Sequence, residues 1–288
     1  MTRRHNVERH DMGKLDGRVA LITGAARGQG RSHAITLAEE GADIAIFDIC
    51  AAIDVPYRAS TLEDLEETRA LVEKTGQRCL SGVVDVRDFG QVQAFVDQTI
   101  TELGGVDILC ANAGILNTSL VVDMSPETWR SMIDTNLTGA FNSIRAVLPH
   151  MVERGKGSIV ATSSMAARTP FPSVAHYTAA KFGIIGLVKS TAIEVGPSGV
   201  RVNAVCPTNV NTEMVINDSV FEVWCPDLAQ PTLADVEARM SATHPLRVPY
   251  VEPIDISRAI LYLVSDDARY VTGEVLTVSA GLTAGTDA

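Results

Sequence analysis

Short apolar runs alternate with amphipathic stretches along most of the chain. The apolar runs predict strands at residues 19–22, 44–47, 79–84, 106–111, 158–163, 200–205 and 275–278. The amphipathic stretches predict helices at residues 30–40, 62–74, 89–103, 126–151 (interrupted around Gly139), 174–195 and 254–264. Because the strands are continuously apolar and alternate regularly with helices, the pattern indicates a parallel sheet that is covered on both faces.

This alternation predicts an α/β fold, a single doubly wound domain with a seven-stranded parallel sheet and helices on both faces. The domain is expected to span residues 14–288, after a flexible N-terminal tail at residues 1–13. Two segments are longer than the scaffold requires: residues 50–61, called the insertion below, and residues 208–252, called the covering segment. Long loops on a compact scaffold are usually functional, so both are expected to border a binding site.

Charge and composition narrow the classes of function. The chain has 24 Lys and Arg against 35 Asp and Glu, a net charge of −11, which argues against the basic face of a nucleic-acid binder. No uncharged apolar run approaches the roughly 18 residues of a membrane span, and the first residues have no apolar signal-peptide core. The five cysteines lack C-x-x-C spacing. We therefore expect a cytoplasmic protein without a metal site, nucleic-acid partner or membrane partner.

A glycine-rich turn follows the first predicted strand. It reads Thr23-Gly24-Ala25-Ala26-Arg27-Gly28-Gln29-Gly30 and opens the first predicted helix. Glycines here allow a tight turn and a close approach of the backbone to a pyrophosphate at the helix N-terminus. Asp48 ends the next strand, 20 residues after Gly28, which is the spacing of a carboxylate that binds the adenosine ribose. The sequence therefore predicts a dinucleotide site on a Rossmann sheet.

Asp48 also predicts which dinucleotide is bound. Its carboxylate can accept hydrogen bonds from the ribose hydroxyls and would repel a 2′-phosphate, so NAD is favoured over NADP. Arg27 favours the opposite assignment, because a basic residue in this turn could bind a 2′-phosphate instead of lying in solvent. NADP therefore stays the less favoured alternative.

A catalytic group is predicted from three residues. Tyr177 and Lys181 stand four residues apart on a predicted helix, and Ser164 ends the fifth strand, where doubly wound sheets bind ligands. Alcohol oxidation needs a base, and a free tyrosine has a pKa near 10. An ammonium at about 4 Å, with an effective dielectric constant of about 20, contributes roughly 4 kcal/mol and would lower that pKa to about 7. We expect Lys181 to supply this charge and Ser164 to hold the substrate oxygen.

These motifs together resemble the short-chain dehydrogenase/reductase family, and the resemblance covers nearly all of the chain. It also rests on Asp85, Asn112-Ala113-Gly114, Asn136 and residues 207–212. It implies four catalytic residues: Asn136, which would hold a water linked to Lys181, Ser164, Tyr177 and Lys181. The implied cofactor-binding residues are Gly24, Arg27, Gly28, Gln29, Gly30, Asp48, Ile49, Asp85, Val86, Asn112, Ala113, Gly114, Tyr177, Lys181, Pro207, Thr208, Val210, Thr212 and Met214.

Within that implied set, Asp85 and Val86 would meet the adenine. Pro207, Val210 and Thr212 would hold the nicotinamide carboxamide. Thr208 stands where many relatives have glycine, a departure that could stiffen the loop.

Gln29, the following Arg-Ser-His and the insertion are similar to an actinobacterial branch, the mycofactocin-coupled or carveol dehydrogenase-like enzymes. That resemblance implies tightly held NAD, with mycofactocin as an external electron acceptor. The insertion lies where it could cover the adenosine half of the cofactor, so we hypothesise that it slows NAD exchange. A surface insertion without function is the alternative.

The covering segment suggests the substrate. It carries Met214, Phe221 and Trp224 among other apolar residues, which favours an apolar secondary alcohol or ketone, with a carveol-like terpene alcohol preferred. Ser164, Met165, Tyr177, Met214, Phe221 and Trp224 are the expected substrate contacts. These apolar side chains could instead pack on the core or on a neighbouring subunit.

Two alternatives remain open on the sequence. The same chemistry could use freely exchanging NAD(P) on a steroid or a 3-oxoacyl substrate. A protein without catalysis could bind a nucleotide as a sensor or scaffold, although the Asn136, Ser164, Tyr177 and Lys181 set argues against it. The family resemblance also implies a homotetramer, packed through the helices at 126–151 and 174–195.

Overall fold

A computed structural model describes residues 13–284. Its seven strands form one parallel sheet in the order β3-β2-β1-β4-β5-β6-β7. The strands are β1 (Val19–Thr23), β2 (Asp43–Asp48), β3 (Cys79–Val83), β4 (Ile108–Ala111), β5 (Gly157–Thr162), β6 (Val200–Pro207) and β7 (Val275–Val278). The predicted seven-stranded, doubly wound sheet is thereby confirmed. The strand order reverses between β1 and β4, and in such sheets ligands bind at that point, beyond the carboxyl ends of the strands.

The helices of the described residues connect these strands. They are α1 (Gly28–Glu39), α2 (Leu62–Glu73), α3 (Phe89–Leu103), α4 (Pro126–Ile133), α5 (Gly139–Arg154), α6 (Ala175–Val195), α7 (Asp218–Trp224), α8 (Leu233–Thr243) and α9 (Pro253–Val264). Short 3-10 turns lie at Met165–Ala167, Gly196–Ser198 and Asp266–Ala268. None of the helices in residues 13–284 is long and apolar enough to cross a membrane.

Local chemistry explains where several helices begin and end. Thr61 and Asp64 form a capping box at the start of α2, and the Asp88 carboxylate accepts from two backbone N–H groups at the start of α3. Gly104 ends α3 with φ +95°, a conformation that a residue with a Cβ adopts only under strain. These caps fix both ends of the segments that return the chain to the sheet.

The structure corrects two details of the predicted helices. The stretch 126–151 is broken by a π-helical turn, Asp134–Thr138, which comes before Gly139 rather than around it. The covering segment, expected to be mostly irregular, contains α7 and α8. Thr232 and Asp235 form a capping box at the start of α8, a signal that the sequence carries in this segment.

Apolar residues are packed on both faces of the sheet. One core lies between the sheet and α3, α5 and α6, and the other between the sheet and α1, α2 and α9. A third, smaller cluster lies under the covering segment, where Val220, Phe221, Val236 and Met240 pack with Leu116 and Val174. The covering segment is therefore held by its own apolar cluster beside the carboxyl edge of the sheet.

The N-terminal tail was predicted at residues 1–13. Residues 1–12, like residues 285–288, lie outside the described residues. Gly13 is described and packs closely on the backbone of Glu40, to whose carbonyl oxygen a Cβ at position 13 would come within 2.2 Å.

Candidate active site

A cleft of about 640 Å³ opens at the carboxyl edge of the sheet, where the strand order reverses. Every residue of the expected cofactor-binding set lines it, from Gly24 in the first turn to Met214 in the covering segment. Ser164 and Met165 line the same cleft. Asn136 and Phe221 do not line it. The insertion forms one wall, and the covering segment forms another.

The glycine turn has the shape that a pyrophosphate requires. Gly24 and Gly28 have φ values of +66° and +57°. A Cβ at Gly24 would lie 2.7 Å from the Cα of Ala113, and a Cβ at Gly30 would lie 2.2 Å from the carbonyl oxygen of Gly24. Arg27 precedes α1 and makes no side-chain cap, so the first N–H groups of the helix remain available to an anion. These residues fit a dinucleotide.

Asp48 ends β2 at the edge of the cleft. Its carboxylate accepts hydrogen bonds from the backbone N–H of Ala26 at 3.1 Å and from the Ser60 hydroxyl at 2.6 Å. The glycine turn and the insertion therefore hold this carboxylate in place. A fixed carboxylate at this position can accept from ribose hydroxyls and repels a phosphate.

Arg27 is not a free cation facing the cleft. Its guanidinium pairs with Glu213 of the covering segment, donates to the carbonyl of Arg58 in the insertion and lies 5.8 Å from the centre of the Tyr57 ring. Arg58 also pairs with Glu213, at 3.3 Å, and with Asp64, at 2.6 Å. We call Arg27, Tyr57, Arg58 and Glu213 the clasp, because they join the turn, the insertion and the covering segment across the cleft.

The insertion reaches the other end of the cleft as well. The backbone N–H of Leu116 donates to the Tyr57 hydroxyl at 3.1 Å, and the Asn117 amide donates to the carbonyl of Asp54 at 3.3 Å. Burial raises the pKa of Tyr57 to about 12, so its hydroxyl keeps its proton. The insertion is thereby attached to the loop that follows β4.

Asn112 joins the two strands on either side of the reversal point. Its amide donates to the carbonyl oxygens of Thr23 and Gly24 at 3.2 and 3.3 Å. The Thr23 hydroxyl accepts from the backbone N–H groups of Asn112 and Ala113 at 3.0 and 2.9 Å. Asp85, on the far side, pairs with Arg87 at 2.6 Å. These contacts fix the floor of the cleft.

Tyr177 and Lys181 lie together on α6, with Lys181 buried and Tyr177 partly buried. The Lys181 ammonium lies 5.5 Å from the centre of the Tyr177 ring and donates to the carbonyl of Thr162 at 2.8 Å. Burial lowers the pKa of Lys181 to about 8. Burial also raises the pKa of Tyr177 to about 12, against the effect of a hydrogen bond from Ser164. The pKa of Tyr177 is therefore raised in the protein alone, and Lys181 is not among the causes that shift it.

Asn136 lies in the π-helical turn and acts on the backbone of the loop after β4. Its Oδ1 accepts from the N–H of Ile115 at 2.7 Å, and its Nδ2 donates to the carbonyl of the same residue at 2.9 Å. A Cβ at Gly114 would lie 2.7 Å from Asn136 Oδ1 and 3.5 Å from Lys181 Nζ. Asn136 therefore packs close to Lys181; its expected link to a water stays a prediction.

The end of the cleft next to Tyr177 is mostly apolar. Of the expected substrate contacts, Met165, Met214 and Trp224 line it together with Ser164 and Tyr177. Phe221, which was expected to contact substrate, does not line the cleft, because its side chain is packed in the small apolar cluster under the covering segment. Further lining residues that the sequence analysis missed are Tyr57, Leu116, Thr169, Phe171 and His244.

Two of these lining residues could not be recognised from sequence patterns, for physical reasons. Tyr57 lies in an insertion without periodicity, so no pattern indicates that its ring turns inward. His244 follows α8, 36 residues after its partner Thr208, and only the folded covering segment brings the two together. Within residues 13–284, no group of His, Cys, Asp and Glu side chains has the geometry of a metal site.

The fold and the site define a class of oxidoreductase. A family model described as enoyl-(acyl carrier protein) reductase matches residues 24–283, within the short-chain dehydrogenases/reductases. The chain belongs to this family and is an enzyme of the short-chain alcohol dehydrogenase type.

Individual relatives are similar over nearly the full length. The chain is 46% identical to (−)-trans-carveol dehydrogenase of Rhodococcus erythropolis, over 94% of this chain and 99% of the relative. It matches the crystal structure of carveol dehydrogenase from Mycobacterium avium in complex with NAD, with 47% identity and a TM-score of 0.92 over 94% and 99% of the two chains. A short-chain dehydrogenase from Mycobacterium paratuberculosis bound to NAD matches at 40% identity and a TM-score of 0.86, over 94% and 100%.

The buried ammonium predicts how stability depends on pH. The pKa of Lys181 is about 8 in the folded chain and 10.5 for a lysine in water, so between these two values the unfolded chain binds more protons. Stability contributed by this group therefore rises with pH across that window, by about 3 kcal/mol in total. In Lys181→Met this rise should be absent, as measured by denaturant unfolding of both proteins from pH 7.5 to pH 10. Lys189→Met, at an exposed position of the same helix, is the control. Parallel curves for wild type and Lys181→Met would contradict the burial of a charged amine.

Proposed function

We propose that the enzyme interconverts an apolar secondary alcohol and its ketone with NAD, and that a carveol-like terpene alcohol is the preferred substrate type. The observation that carries the proposal is one cleft with two different ends. Asp48 and the glycine turn lie at one end, and Ser164, Tyr177 and Lys181 lie at the other, among apolar side chains. The similarity to (−)-trans-carveol dehydrogenase supports the substrate type.

The preference for NAD rests on Asp48 and Arg27 together. Asp48 is held by Ala26 and Ser60 where a 2′-phosphate would have to lie, and Arg27 is committed to Glu213. Arg27 is therefore not available to bind a 2′-phosphate, as the NADP alternative would require. Two similar structures are bound to NAD, which supports the same assignment.

The residues at the reactive end divide the chemistry among them. The cleft residues would hold NAD, which would supply the acceptor for the hydride that leaves the alcohol carbon. The Tyr177 hydroxyl exchanges the proton of the substrate oxygen, and Ser164 donates a hydrogen bond to that oxygen as charge develops on it. Because burial raises the pKa of Tyr177 to about 12, positive charges must lower it for the hydroxyl to act as a base, and they act most strongly where substrate has expelled water. Lys181 is positioned by Thr162 to supply one of them.

We further propose that NAD is held tightly and exchanges slowly. The clasp joins three segments across the cleft, and Tyr57 and Asp54 attach the insertion to the loop after β4. A cofactor beneath these contacts could leave only after several of them had broken. Slow exchange would require an external electron acceptor, and mycofactocin is the one that the branch resemblance implies.

The assembly and the compartment stay predictions of the same proposal. Phe141 on α5 and Phe182 on α6 are 43% and 48% exposed, which supports packing of these helices between the subunits of a homotetramer. A cytoplasmic location follows from the expected chemistry rather than from a feature of the fold.

The role of Tyr177 predicts a selective loss. Tyr177→Phe removes the hydroxyl that exchanges the substrate proton but keeps the ring that packs in the cleft. We expect oxidation of carveol-like alcohols, followed with an artificial electron acceptor, to fall at least about 100-fold, the lower end of what general acid–base catalysis contributes. Nucleotide content, measured by mass spectrometry of the denatured protein, should be unchanged. Tyr262→Phe, at an exposed position of α9, serves as the control. Turnover that survived in Tyr177→Phe would overturn the assignment.

Asp48 predicts the discrimination between cofactors. Asp48→Ser removes the charge that repels a 2′-phosphate and puts a polar hydroxyl in its place, so the ratio of NADPH to NADH affinity should rise at least about ten-fold, or about 1.4 kcal/mol. Fluorescence titration of nucleotide-free protein measures both constants. Asp54→Ser, an exposed carboxylate of the insertion, should leave the ratio unchanged. An unchanged ratio in Asp48→Ser would mean that Asp48 does not determine the discrimination between NADH and NADPH.

Tight holding of NAD predicts that the purified, dialysed protein releases near-stoichiometric nucleotide when denatured. Glu213→Gln loosens the clasp, so nucleotide release should be about two- to five-fold faster, the size expected for a partly exposed ion pair. Deleting residues 50–61 should accelerate release further. Glu222→Gln, an exposed acid on α7, is the matched control. An empty protein after dialysis, or release rates that the deletion leaves unchanged, would reject the tight-binding proposal.

A further inference from the structure

A buried histidine lies at the reactive end of the cleft without a role in the chemistry described above. His244 follows α8, is 1% exposed and lines the cleft together with Thr208. Its Nε2 lies 2.7 Å from the Thr208 hydroxyl oxygen, and its Nδ1 lies 2.6 Å from the carbonyl oxygen of Val248. Both ring nitrogens are therefore paired within the covering segment.

These two contacts determine where the protons lie. A carbonyl oxygen can only accept, so Nδ1 of His244 carries the proton and donates to Val248. In the neutral ring Nε2 then has no proton and accepts, and the Thr208 hydroxyl must be the donor. The single hydroxyl proton of Thr208 is thereby committed to His244, and its oxygen can offer only lone pairs to the cleft.

Thr208 is also held firmly by its backbone. Its N–H donates to the carbonyl of Val278 in β7 at 3.0 Å. The two residues on either side of Val210, Asn209 and Asn211, bond to the backbone of Val251 at 2.9 and 3.0 Å. The acceptor at position 208 consequently has a fixed place at the end of β6.

The register of the sheet places this acceptor at the reacting end. β5 and β6 are neighbours, with Thr162 beside Val205, so Ser164 and Thr208 follow adjacent strand ends. Asp48 is the last residue of β2, on the other side of the point where the strand order reverses. A dinucleotide whose adenosine ribose lies at Asp48 would extend its nicotinamide ring toward Thr208.

We propose that Thr208 Oγ1 accepts a hydrogen bond from the carboxamide amine of the nicotinamide ring, and that His244 is the positioning residue that makes it an acceptor. The inference rests on the proposed binding of NAD. The carboxamide amine is the N–H donor of the nicotinamide ring, and an oxygen restricted to accepting complements it. His244 lies near the far end of the covering segment. The folding of that segment therefore determines that Thr208 offers an acceptor to the cofactor pocket.

The test compares NAD with its 3-acetylpyridine analogue, in which a methyl group replaces the carboxamide amine. Dissociation constants are measured by isothermal titration calorimetry on the full chain, freed of nucleotide. Wild type and Thr208→Ser, which keeps the hydroxyl, should bind NAD more tightly than the analogue. Thr208→Val, which keeps the shape, should weaken NAD about five- to ten-fold and leave the analogue nearly unchanged.

His244 is tested by the same ratio of dissociation constants. His244→Leu frees the Thr208 proton, so discrimination between NAD and the analogue should fall toward that of Thr208→Val. His244→Gln, whose amide oxygen can still accept, should restore part of it. A merely structural role would weaken both nucleotides equally and leave the ratio at its wild-type value.

The outcomes separate this inference from the proposed function. Equal weakening of both nucleotides in Thr208→Val, or unchanged binding of both, would overturn the role of Thr208. If Thr208→Val does not fold, Thr208→Ala gives the same comparison, with the same expected and contrary results. A wild-type protein that bound neither nucleotide would instead refute the proposed use of NAD.

Discussion

A charged amine held away from water is the constraint on which the reactive end of the cleft depends. Lys181 is 3% exposed, and the carbonyl of Thr162 at 2.8 Å holds its Nζ at a fixed place above β5. The Ser163 hydroxyl donates to the carbonyl of Lys181 at 2.8 Å, so the same strand also fixes the backbone of α6 at this residue. Gly114 leaves room beside the amine that a Cβ would fill. Strand β5, helix α6 and the loop after β4 must therefore all be in register before the site exists.

The same desolvation explains why the pKa of Tyr177 is raised, rather than lowered, in the protein alone. Desolvation disfavours the phenolate as well as the ammonium, and it raises the pKa of Tyr177 while lowering that of Lys181. A low dielectric environment also strengthens any charge that enters the cleft. In the mechanism proposed above, bound ligands would therefore set the protonation of Tyr177 and Lys181. Ser164 contributes the one contact that favours the phenolate in the protein itself.

Much of this arrangement could be predicted from the sequence, because it depends on strand ends. Continuous apolar runs identified all seven strands, and residues directly after a strand, such as Ser164 and Asn112, must meet at the carboxyl edge of a parallel sheet. The partners that arrive over long sequence distances could not be predicted. Nothing local pairs Arg27 with Glu213, or Thr208 with His244, since these contacts require a folded covering segment. Phe221 shows the same limit, because an apolar residue in that segment can face the cleft or its own small core.

The insertion and the covering segment are held across the cleft by ion pairs and by hydrogen bonds. These two kinds of contact differ in how well they could retain a cofactor. At the adenosine end the clasp is ionic, but Glu213 and Arg58 are about half exposed, at 48% and 49% of their side chains. Exposed pairs of this kind contribute little individually, because solvent screens them. The insertion is held in addition by the buried contact of Tyr57 with Leu116 and by Ser60 on Asp48. Slow release of a cofactor would therefore come from the number of contacts that must open together. The hydrogen bond between Thr208 and His244, near the two ends of the covering segment, adds to these contacts.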